Sequence, residues 1–375
     1  MPRLDTMLRR NNYVFPFFLI LLITFATLGV AQNTSAPAGT QAPAPASTTP
    51  PESTQAPAVS PQSSPASAEQ SPSQAPDAAQ PPLQQSPDNN NGDVFVFKKE
   101  VDEVVLHATV VDDKQHLVTN LDKNAFTVFE NGTPQTITSF RHEDIPVAMA
   151  IVIDNSGSMR EKRQKVNQAA LNLVRSSNPN DQVFVVNFND EYYLDQDFTS
   201  NINQLREALE KIEARGGTAL YDAVVASADH LKKNARLERK VVFVVTDGED
   251  NASRESLEAA VHRLQEENGP TVYSIGILGE EKARRARRAL ETMSDRTGGM
   301  AFFPRTLDEV DSISRTVAHD IRNQYTIGYK PTTPKSAGGY RQVKVDARAH
   351  GYGKLTVRTK SGYYAGQERA SASNP

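Results

Sequence analysis

Three short segments of this chain carry side chains that could do chemistry together. The first is Asp154-Asn155-Ser156-Gly157-Ser158, which follows the apolar run Ala148–Ile153. The second is Gly216-Gly217-Thr218, which precedes a helical pattern starting at Ala219. The third is Thr246-Asp247-Gly248, which follows the apolar run Val241–Val245. Asp154, Ser156, Ser158, Thr218 and Asp247 supply two carboxylates and three hydroxyls, all hard oxygen donors with no nitrogen or sulfur among them. Such a set suits a small hard divalent cation, with Mg²⁺ the first expectation and Mn²⁺ or Ca²⁺ the alternatives, and water would fill the remaining positions. Taken singly, each piece has a plainer explanation. Ser156, Ser158 or Thr218 could be a helix N-cap, and Asp247-Gly248 an ordinary turn. Taken together, they sit where a doubly wound sheet gathers its ligands, beyond the carboxyl ends of its strands.

The surrounding pattern supports such a sheet. Continuous apolar runs at Val147–Ile153, Gln182–Phe188, Val241–Val245, Thr271–Leu278 and Met300–Phe303 alternate with helical patterns. These helical stretches fall at Arg160–Arg175, Ile202–Ala214, Ala219–Lys233, Arg254–Glu267, Glu281–Thr297 and Leu307–Arg322. Apolar strands alternating with helices predict βαβ units and a mostly parallel sheet covered on both faces. On either side the period is that of strands. Val94–Phe97, Val101–Asp112, Phe126–Glu130 and Thr136–Arg141 precede the α/β stretch, and Gln324–Tyr329, Tyr340–Ala347 and Gly353–Lys360 follow it. Neither flank has enough strands to stand alone. The expected fold class is therefore α/β, with a Rossmann-like domain at 146–323 inserted between flanking strands, 93–145 and 324–365, that form one small β-sandwich. Residues 366–375 read as a tail.

The N-terminal part has a different composition. Residues 1–31 combine the basic residues Arg3, Arg9 and Arg10 with an uncharged, mostly apolar run of 17 residues, Val14 to Val30, and with small residues at Gly29 and Ala31. That is the layout of a signal peptide, or of a short N-terminal membrane anchor if it is not cleaved. Either way the remainder is expected to be exported, to the periplasm, the cell surface or the medium. Residues 32–92 contain 13 of the 23 prolines with Ala, Ser, Thr and Gln, and predict a disordered PPII-like linker. The whole chain of 375 residues carries 41 Lys+Arg against 45 Asp+Glu, which gives no electrostatic case for nucleic acid. With no Cys, it can form no disulfide, thiolate metal site or cysteine nucleophile.

The three chemical segments resemble the von Willebrand factor type A domain over about 145–323. The metal-ion-dependent adhesion site of that family has the form Asp-x-Ser-x-Ser…Thr…Asp, matched here by Asp154, Ser156, Ser158, Thr218 and Asp247. The stretches Val152–Met159, Gly216–Ala223 and Val245–Gly248 are similar as well. The flanking pieces Phe126–Gly132 and Tyr325–Tyr329 resemble a bacterial, secreted subgroup described as VWFA-related domain proteins. The resemblance implies that Ser156 and Ser158 would bind the metal directly. Asp154, Asp247 and Thr218 would bind it directly or through water. An acidic side chain of a partner protein would complete the shell. The implied function is metal-dependent protein binding without catalysis.

Two other functions are alternatives: an assembly role in the cell envelope with a purely stabilising metal, and a metal-dependent hydrolase. Against the hydrolase, no general base accompanies Ser156 and no His-Glu-x-x-His, P-loop or Gly-x-Ser-x-Gly motif occurs. Some adhesion receptors of this kind carry a second metal beside the first, held by acidic residues just after the first loop. Here that position reads Arg160-Glu161-Lys162-Arg163, which argues against one. Arg284, Arg285, Arg287 and Arg288 read as a solvated helix face with Glu280, Glu281 and Glu291 nearby.

Overall fold

The computed structural model describes residues 103–211, 213–279 and 283–366. The expected targeting segment, the Pro-rich linker, the strand expected at Val94–Phe97 and the tail beyond Gly366 lie outside the described residues. Among the described residues no helix is long and apolar enough to cross a membrane.

The described residues begin with strands β1 (Val104–Val111), β2 (Phe126–Glu130) and β3 (Thr133–Arg141). The α/β part runs β4 (Val147–Asp154), α1 (Arg163–Ser176), β5 (Gln182–Phe188), β6 (Tyr192–Thr199), α2 (Ile202–Glu210) and α3 (Leu220–Asn234). It continues with β7 (Arg239–Thr246), α4 (Leu257–Leu264), β8 (Thr271–Gly276), α5 (Ala283–Thr297), β9 (Ala301–Phe302) and α6 (Glu309–Arg322). Strands β10 (Tyr325–Lys330), β11 (Gly339–Ala347), β12 (Thr356–Arg358) and β13 (Gly362–Ala365) close the described chain.

The central sheet has the order β6-β5-β4-β7-β8-β9. All its pairings are parallel except that of β6, which returns antiparallel along β5. Every residue of β4 is buried, because helices cover both faces. Met149, Ile151 and Ile153 face the layer containing α1, α2 and α6. The alternating positions Ala148, Ala150 and Val152 face α3, α4 and α5, whose Val224, Leu264, Leu290 and Met293 fill the space left by the small side chains.

Both flanks do combine into one β unit. It is a single seven-stranded antiparallel sheet, β12-β1-β10-β3-β2-β11-β13, rather than two facing sheets of a sandwich. It curls until β12 also lies against β11. One apolar core built from Leu106, Val128, Tyr325, Ile327, Val345 and Tyr363 is thereby enclosed by one sheet. Glu130 is buried in it and accepts from the hydroxyls of Tyr329 (2.6 Å) and Tyr363 (2.9 Å), with Arg341 paired to its other oxygen at 3.2 Å.

The two parts meet where α6 ends. Helix α6 stops at Arg322 and β10 starts at Tyr325, and a buried polar network pins the junction. Arg239, at the start of β7 and 1% exposed, donates to Ile321 O (2.9 Å) and Thr326 Oγ1 (3.2 Å). The Tyr273 hydroxyl in β8 donates to Asp320 Oδ2 (2.6 Å) and accepts from Gln324 Nε2 (3.1 Å). Arg358 of β12 reaches Asp320 Oδ1 at 2.8 Å, and Gln324 also approaches Thr109 of β1 at 3.3 Å.

Several boundaries differ from the expectation for identifiable reasons. Helix α4 starts at Leu257 rather than Arg254, because Ser256 caps it and the Asp222 carboxylate takes the amides of Arg254 and Glu255. Helix α2 ends at Glu210, ahead of the loop that carries Gly216 at φ +75°. Strands β6 and β13 were not expected from the sequence. Strand β6 lies on the sheet edge and exposes Tyr192, Tyr193 and Leu194 in succession, so it lacks the apolar alternation of a half-buried strand.

Candidate metal centre

Strands β4 and β7 lie side by side and parallel, with Ile153 opposite Val245. Their carboxyl ends therefore deliver Asp154 and Asp247 to one edge of the sheet. Asp154 is fully buried and its carboxylate is oriented by the chain itself. Ser156 N donates to Oδ1 at 2.7 Å, and Thr246 Oγ1 donates to Oδ2 at 2.6 Å. A tight 3-10 turn at Gly157–Met159 then folds the chain back, so that Ser156 Oγ and Ser158 Oγ lie 3.2 Å apart. Ser158 Oγ donates to Asp247 Oδ1 at 2.7 Å. The other Asp247 oxygen is paired with the Lys162 ammonium.

Thr218 arrives from the loop before α3. Its amide donates to Asn251 Oδ1 (2.9 Å), and its carbonyl accepts from Asn251 N (3.0 Å) and Ala252 N (3.2 Å). Its Oγ1 packs against Gly248, 3.4 Å from where a Cβ would stand. The loop is further tied to the first segment by Gly157 N to Gly216 O (3.2 Å) and by Arg215 N to Asn155 O (2.8 Å). It is tied to the β5–β6 turn by Ala219 N to Asn189 O (2.6 Å) and Gly217 N to Asp190 Oδ1 (2.7 Å). Gly216 is required here. A Cβ at its positive φ would meet Asp190 Oδ2 at 2.1 Å.

All five residues singled out by spacing thus meet at one sheet edge. Burial pushes the Asp154 carboxyl up from its ordinary range. Hydrogen bonds from Thr246 and Ser156 oppose the rise, and the neighbouring charge of Asp247 adds to it. Two buried carboxylates face one partly exposed ammonium, which leaves negative charge in a low-dielectric place. A divalent cation would relieve that imbalance. The donors, two carboxylates and three hydroxyls, fit one that prefers oxygen. Among the described residues no cluster of three or more His, Cys, Asp or Glu could hold a metal, so an ion here would need the hydroxyls as donors.

Sequence reasoning missed four contributors. Thr246 and Asn251 flank the Asp247 motif and orient Asp154 and Thr218. Asp190 follows the β5 run, where a reading of every strand end would have found it. Lys162 lies in the basic run Arg160–Arg163, and no local sequence pattern signals its pairing with Asp247. Its neighbours in that run are used structurally, Arg160 on Ala214 O (3.4 Å) and Arg163 on Leu209 O (2.8 Å). On α5, Arg285 pairs with Glu249 at 3.2 Å and Arg287 with Glu291 at 3.8 Å, as expected of a solvated face.

Residues 149–249 match the von Willebrand factor type A domain family. The calcium-activated chloride channel regulator 3A-1 of Mus musculus is 30% identical over 163 residues, 41% of this chain and 17% of that protein. The chain spans less than half the length of the curated relatives it matches. Among solved structures, a von Willebrand factor type A protein from Catenulispora acidiphila aligns over 72% of this chain and 74% of its own, with 14% identity and a TM-score of 0.42. The proximal thread matrix protein 1 from the mussel byssus, with a zinc-occupied MIDAS motif, aligns over 52% and 50%, with 19% identity and a TM-score of 0.41.

Proposed function

We propose that this chain, whose central unit matches the von Willebrand factor type A domain, is an exported, non-catalytic binding protein that holds a partner protein through a divalent cation. The observation that carries the reading is the convergence of Asp154, Ser156, Ser158 and Asp247 at one sheet edge, with Thr218 packed against Gly248 beside them and two buried carboxylates set against one lysine. Asp154 and Asp247 would anchor the ion. Ser156, Ser158 and Thr218 would turn hydroxyl lone pairs toward it. A bound metal would act as a Lewis acid toward a carboxylate, which an Asp or Glu side chain of the partner would supply. Mg²⁺ is the proposed ion because the donors are all oxygen and water can complete an octahedron. Export rests on residues 1–31, and the linker at 32–92 would hold the folded head away from a membrane or wall.

The test has two arms. Calorimetric titration of the full chain with Mg²⁺ and Mn²⁺ should show one site, and Asp154→Ala should abolish it. Capture of a partner from envelope extract should occur with Mg²⁺ and be lost with EDTA. Unchanged metal affinity in Asp154→Ala would refute the site. Metal binding without chelator-sensitive capture would favour a stabilising ion in an envelope component.

A further inference from the structure

We infer that Lys162 is a tethered counter-ion that competes with the divalent cation for Asp247 and so sets how tightly the centre holds metal. The inference rests on the metal reading above and concerns what weakens that site. Asp247 has no exposed side-chain surface, and both of its oxygens are engaged, one by Ser158 Oγ at 2.7 Å and the other by Lys162 Nζ. These two neighbours differ in kind. A serine hydroxyl can turn and offer a lone pair to an incoming metal. An ammonium has only donors, so it can never become a ligand and must withdraw or remain as a repelling charge. Asp154 carries no such obstacle, because its oxygens are held by a backbone amide and a neutral hydroxyl.

A second observation points the same way. Lys162 occupies the N-cap position of α1, where its backbone is already helical and no side-chain cap is made. The first turn of that helix contains no acidic residue. A cation at a helix N-terminus opposes the macrodipole, and Ser, Thr, Asp or Asn is the usual residue there. Lys162, in a backbone already helical from the turn at Gly157, makes no cap, and its ammonium is spent on Asp247 instead. The side chain is 27% exposed, so it has room to swing outward. Arg160 and Arg163 on either side are committed to backbone carbonyls and cannot replace it.

The charge count gives the consequence. A dication with two carboxylates is neutral, and with Lys162 nearby the centre becomes net positive. Lys162 thus lowers affinity for the metal alone and raises affinity for an acidic group that arrives with it, which couples the two binding events.

The experiment titrates Mn²⁺ and Mg²⁺ into the full chain as wild type, Lys162→Met and Lys162→Glu, and melts each protein in EDTA and in Mn²⁺. The expected order of affinity is Glu over Met over wild type. The Met variant should be about tenfold tighter, because the screened repulsion of one nearby positive charge is gone. Its melting temperature in EDTA should fall, since Asp247 is then buried without its partner, and Mn²⁺ should restore it. A wild type that ignores metal beside a Lys162→Met that binds it would support the competition in its strongest form. Metal affinity unchanged or weakened in both variants, with the wild type binding, would overturn the role of Lys162 and leave the metal site standing. If wild type and variants all fail to bind, the metal reading falls and this inference falls with it.

Discussion

Replacing Tyr273 with Phe removes one oxygen atom and nothing else, yet it should weaken both halves of the folded part at once. The hydroxyl donates to Asp320 Oδ2 at 2.6 Å and accepts from Gln324 at 3.1 Å, and Tyr273 itself is fully buried. Burial and the Asp320 charge push its ionisation well above the ordinary range, so it acts as a neutral donor at any working pH. In the variant, Asp320 keeps Arg358 on one oxygen and loses its partner on the other, while Gln324 keeps only the longer contact to Thr109. A hydrogen bond to a buried charged group contributes about 1.5–3 kcal/mol, and an expected loss of ~2–3 kcal/mol follows. For a unit of this size that lowers the melting temperature by roughly 4–12 °C. The measurement is urea and thermal unfolding of the full chain, followed by near-UV and far-UV circular dichroism. Tyr192→Phe, at a side chain 49% exposed, serves as the control and should change little. Because the network joins β8, α6, β1 and β12, the variant should still melt in one transition. A loss below about 0.5 kcal/mol, no larger than a surface change, would refute the junction as a source of stability. So would a wild type in which the α/β unit and the curled sheet melt separately.

Two further outcomes are expected. Gly216→Ala places a methyl group against the Asp190 carboxylate in a left-handed conformation, which costs about 1–3 kcal/mol of local strain; the Thr218 loop should shift and Mg²⁺ affinity measured by calorimetry should drop, and unchanged affinity would mean Thr218 is not a ligand. His107 is held well below its ordinary value of 6.5 by burial and by the nearby Arg239, Lys360, Arg141 and Lys240. Because the unfolded chain takes up that proton first, the contribution of this residue to stability is present above about pH 6.5 and is lost as pH falls toward the folded value. The slope is at most ~1.4 kcal/mol per pH unit, and His107→Gln should flatten the change in urea midpoint between pH 7 and pH 5.

The donor set was legible because each member follows a signal that sequence carries well. Asp154 and Asp247 follow apolar runs that read as buried strands, and Thr218 follows two glycines that mark a loop entering a helix. What the sequence hid depends on packing over distance. Strand β6 needs no apolar alternation because it lies at an edge, and its Asp195 and Asp197 disguise it as a loop. Strand β13 is four residues long and gains its place only by pairing with β11. Seven short strands fit two facing sheets or one curled sheet equally well. The choice rests on β10 slotting between β1 and β3, a long-range register that no local pattern encodes. In the run Arg160-Glu161-Lys162-Arg163, only the turn at Gly157–Met159 decides which cation reaches Asp247.

The strand order of the curled sheet also constrains the time course of its assembly. Both neighbours of β1, namely β10 and β12, come from the C-terminal end of the folded part, whereas β2 and β3 can pair as a local hairpin. As the chain emerges N-terminus first, β1 has only a local bridge from Val111 to Leu117, and its neighbouring strands arrive after everything from Val147 to Asn323 has appeared. The α/β unit pairs its own strands and can close during that interval. Pairings of such sequence separation form slowly, since loop closure must precede any gain from contact. During the delay Val104–Val111, an apolar strand with two open edges, is exposed to other chains. Closure of the α/β unit shortens that exposure, because it brings α6, and with it β10, back to the place where β1 and β3 are waiting.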